Sequence, residues 1–270
     1  MACNCRDFAR DYAVGQAPAL RDLEYCVLGT DYGATSWTTR DEATQVAEWL
    51  DLRAHARLLD LGAGAGWPAL HITRATGCQA VLIDLPVIGL RIARERADSE
   101  GVGSQCSMVA GDGVALPFCD VSFDALSHSD VLCCLPSKVE VLKECRRVAR
   151  EGAKMAFSVI AMASRLSSND RDIAIASGPP YIDAPGDYGA LLEQSGWRLL
   201  RRLDVTKEFE RTLMASVDGM RDRTDALVTV LGREEFAAKL ERRIATLSAV
   251  RAALVRRELF LADKCSYAAA

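Results

Sequence analysis

The sequence predicts an α/β protein built on a doubly wound, mostly parallel sheet, and three observations predict it. Between Arg57 and Ile160, short apolar runs alternate with segments of helical periodicity. The run Leu58-Leu59-Asp60-Leu61 passes directly into Gly62-Ala63-Gly64-Ala65-Gly66, a strand leading through a glycine-rich turn to the head of a helix. The boundaries carry their own chemistry: Pro86 suits a first helical turn, Gly101 ends that helix, and Pro136-Ser137 opens another that runs to Arg150 before Gly152. Such a βαβ series implies helices on both faces, right-handed crossovers and a ligand at the carboxyl ends of the strands.

Taken in order, Thr39-x-x-Glu42 is a capping box that starts a helix running to about Leu52. Strands are expected at 57–61, 79–83, 105–110, 122–127 and 153–161, with helices at 66–76, 86–100 and 136–150 between them. Gly178-Pro179-Pro180 through Gly186 reads as a stiff loop, followed by a helix at 187–195 and a strand at 197–205. Leu227, Val230 and Leu231, then Phe236, Leu240, Ile244, Leu247 and Leu254, recur at helical spacings. Glu258-Leu259-Phe260-Leu261-Ala262 reads as a last strand, and the tail Ala268-Ala269-Ala270 is expected to fray.

Half of the 270 residues are hydrophobic, enough for a sizeable core. Thirty-three Lys and Arg against thirty-seven Asp and Glu give a formal charge of −4, which offers no general attraction to nucleic acid. No apolar run is long enough to span a bilayer, and Met1 to Arg10 lacks an apolar signal core, so a cytoplasmic location is expected. Of the ten cysteines, Cys78 and Cys106 fall in expected core positions, and neither Cys3-x-Cys5 nor Cys133-Cys134 has zinc spacing; no metal is expected.

The glycine turn differs from a dinucleotide fingerprint. Trp67 stands where that fingerprint has its third glycine, and Asp60, before the glycines, would repel a pyrophosphate. A ligand with an ammonium group fits better. The D-x-G-x-G-x-G pattern, with Asp84 closing the next apolar run, resembles the S-adenosylmethionine site of class I methyltransferases. Three further segments extend the resemblance over about residues 40 to 206: Gly111-Asp112-Gly113 with Ala115-Leu116-Pro117-Phe118, Ser122-Phe123-Asp124-Ala125, and Arg147-Val148-Ala149-Arg150-Glu151-Gly152.

The resemblance implies a seven-stranded sheet of order 3-2-1-4-5-7-6 with the seventh strand antiparallel. It divides the chain into an N-terminal helical lid (1–52), a cofactor-binding core (53–206), a helical cap (207–257) and a last strand with its tail (258–270). It also implies that Gly62 and Gly64 lie against the methionine part of the cofactor, with Asp60 near its ammonium. Asp84 would bind both ribose hydroxyls, Leu85 would pack on the adenine, Asp112 and Gly113 would meet its exocyclic amine, and Ser127 would border the methionine.

Methyl transfer from a sulfonium is an in-line displacement that rests on alignment and exclusion of water, and it needs a base only if the nucleophile arrives protonated. The place to look for one is Ser127-His128-Ser129-Asp130, read as the loop after the fourth strand, where His128 and Asp130 are the candidate catalytic residues. The acceptor, a small molecule, would be received by Tyr32, Trp37 and Tyr181 and by the helical cap, because the core fold does not need them. Trp67 is open to either cofactor contact or packing. Rival readings are an arsenite or thiol methyltransferase, disfavoured because no cysteine lies between Cys145 and Cys265; an RNA or protein methyltransferase, disfavoured by the acidic balance; and a non-catalytic cofactor-binding protein.

Overall fold

The computed structural model describes residues 7–33 and 35–265. Cys3, Cys5 and the tail Ala268 to Ala270 lie outside the described residues. The chain starts with helix α1 (Phe8–Gly15), whose N-cap Asp7 accepts from the Arg10 N–H, and α2 (Pro18–Leu28), which opens on proline and ends at Gly29 with φ +74°. Helix α3 (Arg40–Leu50) carries the expected capping box, with Thr39 and Glu42 each bonding the other's backbone N–H.

The core then alternates. Strand β1 (Arg57–Leu61) is followed by α4 (Ala69–Thr76), β2 (Gln79–Asp84), α5 (Val87–Ser99), β3 (Cys106–Ala110), β4 (Phe123–Ser129), α6 (Lys138–Val148) and β5 (Ala149–Met162). Helix α4 begins three residues later than the sequence suggests, because Gly66, Trp67 and Pro68 form a turn first. Beyond β5 come α7 (Ser168–Ser177), α8 (Tyr188–Gln194), β6 (Arg198–Asp204), α9 (Thr206–Asp222), α10 (Thr224–Leu231), α11 (Arg233–Arg251) and β7 (Val255–Asp263). Helix α7 had no counterpart in the sequence reading, and β7 starts three residues earlier than expected.

The sheet order is β3-β2-β1-β4-β5-β7-β6, as the resemblance implies. The first five strands pair in parallel, and β7 runs antiparallel between β5 and β6. Strand β1 has a partner on each side, and its successive residues Leu58 and Leu59 point to opposite faces, both fully buried. Each therefore contributes the roughly 1.5–3 kcal/mol of a completely covered leucine. One apolar cluster lies on each face. A third, of Leu23, Met220, Leu227, Leu231 and Phe236, joins α2 to α9, α10 and α11. The N-terminal helices and the α9–α11 bundle thus pack on each other.

Candidate active site

The carboxyl ends of β1 and β2 bring Asp60, the glycine turn and Asp84 together. Gly62, Gly64 and Gly66 have φ of +65°, +50° and +100°, and the N–H groups of Gly62 and Ala63 both bond the Ile83 carbonyl. The turn has no room for larger residues: a Cβ on Gly62 would stand 2.6 Å from Val131 Cγ2, and one on Gly64 2.8 Å from the Tyr12 ring. Asp60 is 1% exposed and accepts from Ser127 Oγ at 2.5 Å. Burial, resisted by that bond and reinforced by the charge of Asp84, pushes its carboxyl up to about 7. Asp84 accepts from the N–H of Gly64 and of Leu85, both at 2.7 Å, and from the Tyr12 hydroxyl at 3.2 Å. Burial raises it despite those donors.

Among the described residues, no lysine or arginine pairs with either acid. One buried and one half-buried carboxylate beside a turn of glycines and alanines make a place for a ligand that brings its own positive charge and hydroxyl groups. Leu85, the residue expected to pack on the adenine, follows Asp84 directly and is 60% exposed. Asp112 is exposed and accepts from the Val114 N–H at 3.1 Å, a turn-forming bond, while the buried Gly113 leaves a Cβ position only 3.2 Å from Leu61. Ser127 faces Asp60 rather than open space. The residues present therefore fit S-adenosylmethionine.

The expectations for the end of β4 need correction. His128 is not in a loop: it lies inside β4 beside Phe157 of β5, is 1% exposed, and stacks on that ring at 4.5 Å between centroids. Neither ring nitrogen has a hydrogen-bond partner, and burial, opposed only by the charge of Asp130, drives its pKa down to about 3. The imidazole is buried within the sheet, where burial favours its neutral form and packing on Phe157 makes it a poor candidate for a base. Asp130 is equally unsuited to proton transfer. Burial alone would raise its carboxyl, but Arg257 holds it below the usual range. It accepts from Arg257 at 3.0 and 3.2 Å, from Trp37 N at 2.9 Å, from Ser158 Oγ at 3.0 Å and from Ser36 Oγ at 3.1 Å.

Arg257, on β7 and 1% exposed, completes this cluster by donating to Glu42 at 2.7 Å and to Thr38 Oγ1 at 3.0 Å. One guanidinium fork therefore ties α3, the segment 36–38 and the end of β4 to the last strand. The sequence reading missed it.

The three expected acceptor residues part company. Trp37 lines a cavity of about 130 Å³ between the N-terminal helices and the α9–α11 bundle. Its ring meets Phe209 edge-on at 5.3 Å and carries the Arg243 guanidinium 4.1 Å from its centroid. Tyr32 instead turns toward α5: its hydroxyl donates to Glu100 at 2.7 Å, Arg96 lies over its face, and its ring packs on Trp67. Tyr181 lies outside the cavity wall, its N–H bonded to the Cys133 carbonyl and its own carbonyl to the buried Lys138 ammonium. Trp67 packs: its indole N–H donates to the Thr38 carbonyl at 2.7 Å.

A second residue missed by the sequence reading is Tyr12, 5% exposed, which reaches across the glycine turn to Asp84. Its neighbours Asp11, Val14 and Gly15 line the cavity, so α1 borders both halves of the site. Only the amphipathic spacing of Phe8 to Gly15 could have pointed to it.

With this geometry in place, likenesses to known proteins become informative. A family described as a methyltransferase domain matches residues 59–157. Methyltransferase GfsG of Streptomyces halstedii is 30% identical over 199 residues, which cover 72% of this chain and 69% of that protein. The 24-methylenesterol C-methyltransferase 2 of Oryza sativa subsp. japonica is 27% identical over 174 residues, 62% of this chain; the match spans about half (48%) of that relative. Among solved structures, a sarcosine dimethylglycine methyltransferase from Galdieria sulphuraria superposes with a TM-score of 0.76 at 19% identity, over 84% of this chain and 86% of that one. At that identity the likeness is one of fold.

Proposed function

The chain belongs to the S-adenosylmethionine-dependent class I methyltransferases, and we propose that it transfers the methyl group to a small metabolite bound between the N-terminal helices and the α9–α11 bundle. The observation that carries the cofactor half of this reading is the pair of acids, buried Asp60 and half-buried Asp84, on either side of the Gly62–Gly66 turn with no cation between them among the described residues. The cavity walled by Trp37 and by Asp11, Val14 and Gly15 of α1, the helix whose Tyr12 reaches Asp84, supports the acceptor half. The relatives include an enzyme named for methylation of a sterol, in keeping with an acceptor of low molecular weight.

The cofactor supplies an already activated methyl group, so the protein's work is placement. Asp84 fixes one end of the site and Asp60 the other, with Ser127 holding the Asp60 carboxylate in position. The Arg257–Asp130–Ser158 cluster pins Ser36 and the Trp37 backbone, and through them the wall against which the acceptor rests. Trp37, with Phe209 and Arg243 on its ring, closes that wall to water. Asp130 organises this wall and does not take a proton, and His128 packs the sheet beneath it. The same reading places the enzyme in the cytoplasm, where the eight described cysteines, all free thiols, are stable, and gives it no nucleic-acid substrate.

Two measurements test the reading separately. Calorimetry should show S-adenosylhomocysteine binding that Asp84→Ala weakens about 10–100-fold. Labelled S-adenosylmethionine, incubated with the enzyme and the ultrafiltrate of a cell extract, should yield labelled small molecules. Binding without transfer would leave a cofactor-binding protein and refute the enzyme.

A further inference from the structure

From the electrostatics of the cavity we infer that the acceptor is an uncharged, amphipathic molecule; this rests on the reading of that cavity as the acceptor site. Four charged residues line it: Asp11 and Glu24, Lys239 and Arg243. Their formal charges cancel, and each is committed to the protein. The Lys239 ammonium lies 2.9 Å from Asp11 and 3.6 Å from Glu235. Glu24 accepts from the backbone N–H of Gly33, and Arg243 lies on the Trp37 face.

A carboxylate, phosphate or ammonium drawn into this space would lose its hydration and meet no uncommitted counter-charge, unless it broke one of these pairs and stranded its partner. The rest of the wall suits a neutral guest. Leu23, Val27, Leu28, Met220 and Leu231 offer an apolar surface, and Thr35 and Ser216 offer hydroxyl groups that can give a hydrogen bond to, or take one from, a carbonyl or alcohol.

The test divides a cell extract by solvent partition at acid, neutral and alkaline pH into acidic, basic, neutral and permanently ionic compounds, and offers each pool as acceptor with methyl-labelled S-adenosylmethionine. The neutral pool should take up at least about tenfold more label than any other, the discrimination expected if one buried charge costs some 1.4 kcal/mol or more of binding. Best labelling of the acidic, basic or ionic pool overturns the inference while leaving methyl transfer intact. In parallel, Ser216→Trp should fill the cavity and reduce labelling about tenfold or more, with S-adenosylhomocysteine affinity retained; undiminished labelling by that variant shows that the acceptor binds elsewhere and also overturns it. If the wild type binds S-adenosylhomocysteine yet labels no pool, the enzymatic reading fails, and the inference with it.

Discussion

Replacing Arg257 by methionine would test what holds the acceptor wall to the sheet. The substitution keeps a long apolar stem and removes four donated hydrogen bonds: two to Asp130, one to Glu42 and one to Thr38. It leaves two carboxylates, each less than a tenth exposed, with no cation between them. Removing one partner of a buried ion pair costs about 3–5 kcal/mol, a large part of the 5–15 kcal/mol that a typical domain has. For a chain of this size that corresponds to a fall in Tm of roughly 6–20 °C.

The loss should depend on pH in a defined direction. In the wild type Asp130 is held below its ordinary value of 3.8, so its contribution is present above that value and disappears as pH falls through the lower, native one. In the variant, burial acts on Asp130 without its cation, and the native carboxyl rises. The variant's deficit should therefore be largest near neutrality and shrink as the solution approaches the carboxylate range. Urea unfolding followed by tryptophan fluorescence at pH 5 and pH 7.5 measures both quantities. The triple change Arg257→Met, Asp130→Asn, Glu42→Gln, which removes the stranded charges while keeping their shapes, should recover more than half of the loss. A deficit under about 1 kcal/mol at pH 7.5, the value of an exposed pair, or no recovery in the triple variant, would refute the cluster as an anchor.

Three other outcomes are expected. Asp60, with its pKa pushed up to about 7, must give up its proton to face a cation. S-adenosylhomocysteine affinity should therefore weaken up to about tenfold for each pH unit below 7, with proton release that calorimetry in buffers of different ionisation enthalpy would reveal; a flat profile from pH 5 to 8 would exclude Asp60 from cofactor binding. Asp84→Ala strands the Gly64 N–H as well as removing the ribose acceptor, and should weaken binding by about 10–100-fold, some 1.4–2.8 kcal/mol. His128→Leu removes two buried unpartnered nitrogens and should leave stability equal or higher, with transfer into the extract unchanged; a variant that folds but no longer transfers methyl would return the imidazole to the chemistry.

What the sequence showed plainly was what neighbouring residues decide. The glycine turn, Asp60 before it and Asp84 at the next strand end are fixed by local backbone geometry, and the alternation of β and α segments needs only periodicity. Tyr12 is 72 residues from Asp84, and Arg257 127 residues from Asp130; contacts of that span leave no local pattern. His128 illustrates a subtler failure. Ser-His-Ser-Asp reads as loop by polarity, yet β4 runs on to Ser129, and alternation from Leu126 sets His128 on the same face as Leu126, where Phe157 covers it. Helix α7 escaped because Ser-Asn-Asp-Arg-Asp favours turns over helix interiors and its apolar stripe is thin. Tyr32 misled in the opposite way: an aromatic in a glycine-flanked loop is as well suited to covering a helix as to holding a guest.

The position of β7 has a bearing on how the molecule is made. Ribosomes deliver chain from the amino end, and domains begin to fold as they emerge. Asp60, the glycine turn and Asp84 are synthesised early, whereas the guanidinium that fastens the opposite wall arrives only with β7, which pairs with β5 on one side and is the sole sheet neighbour of β6 on the other. The wall that Arg257 fastens can therefore be completed only after residue 257 has left the ribosome, later than every other residue of its cluster.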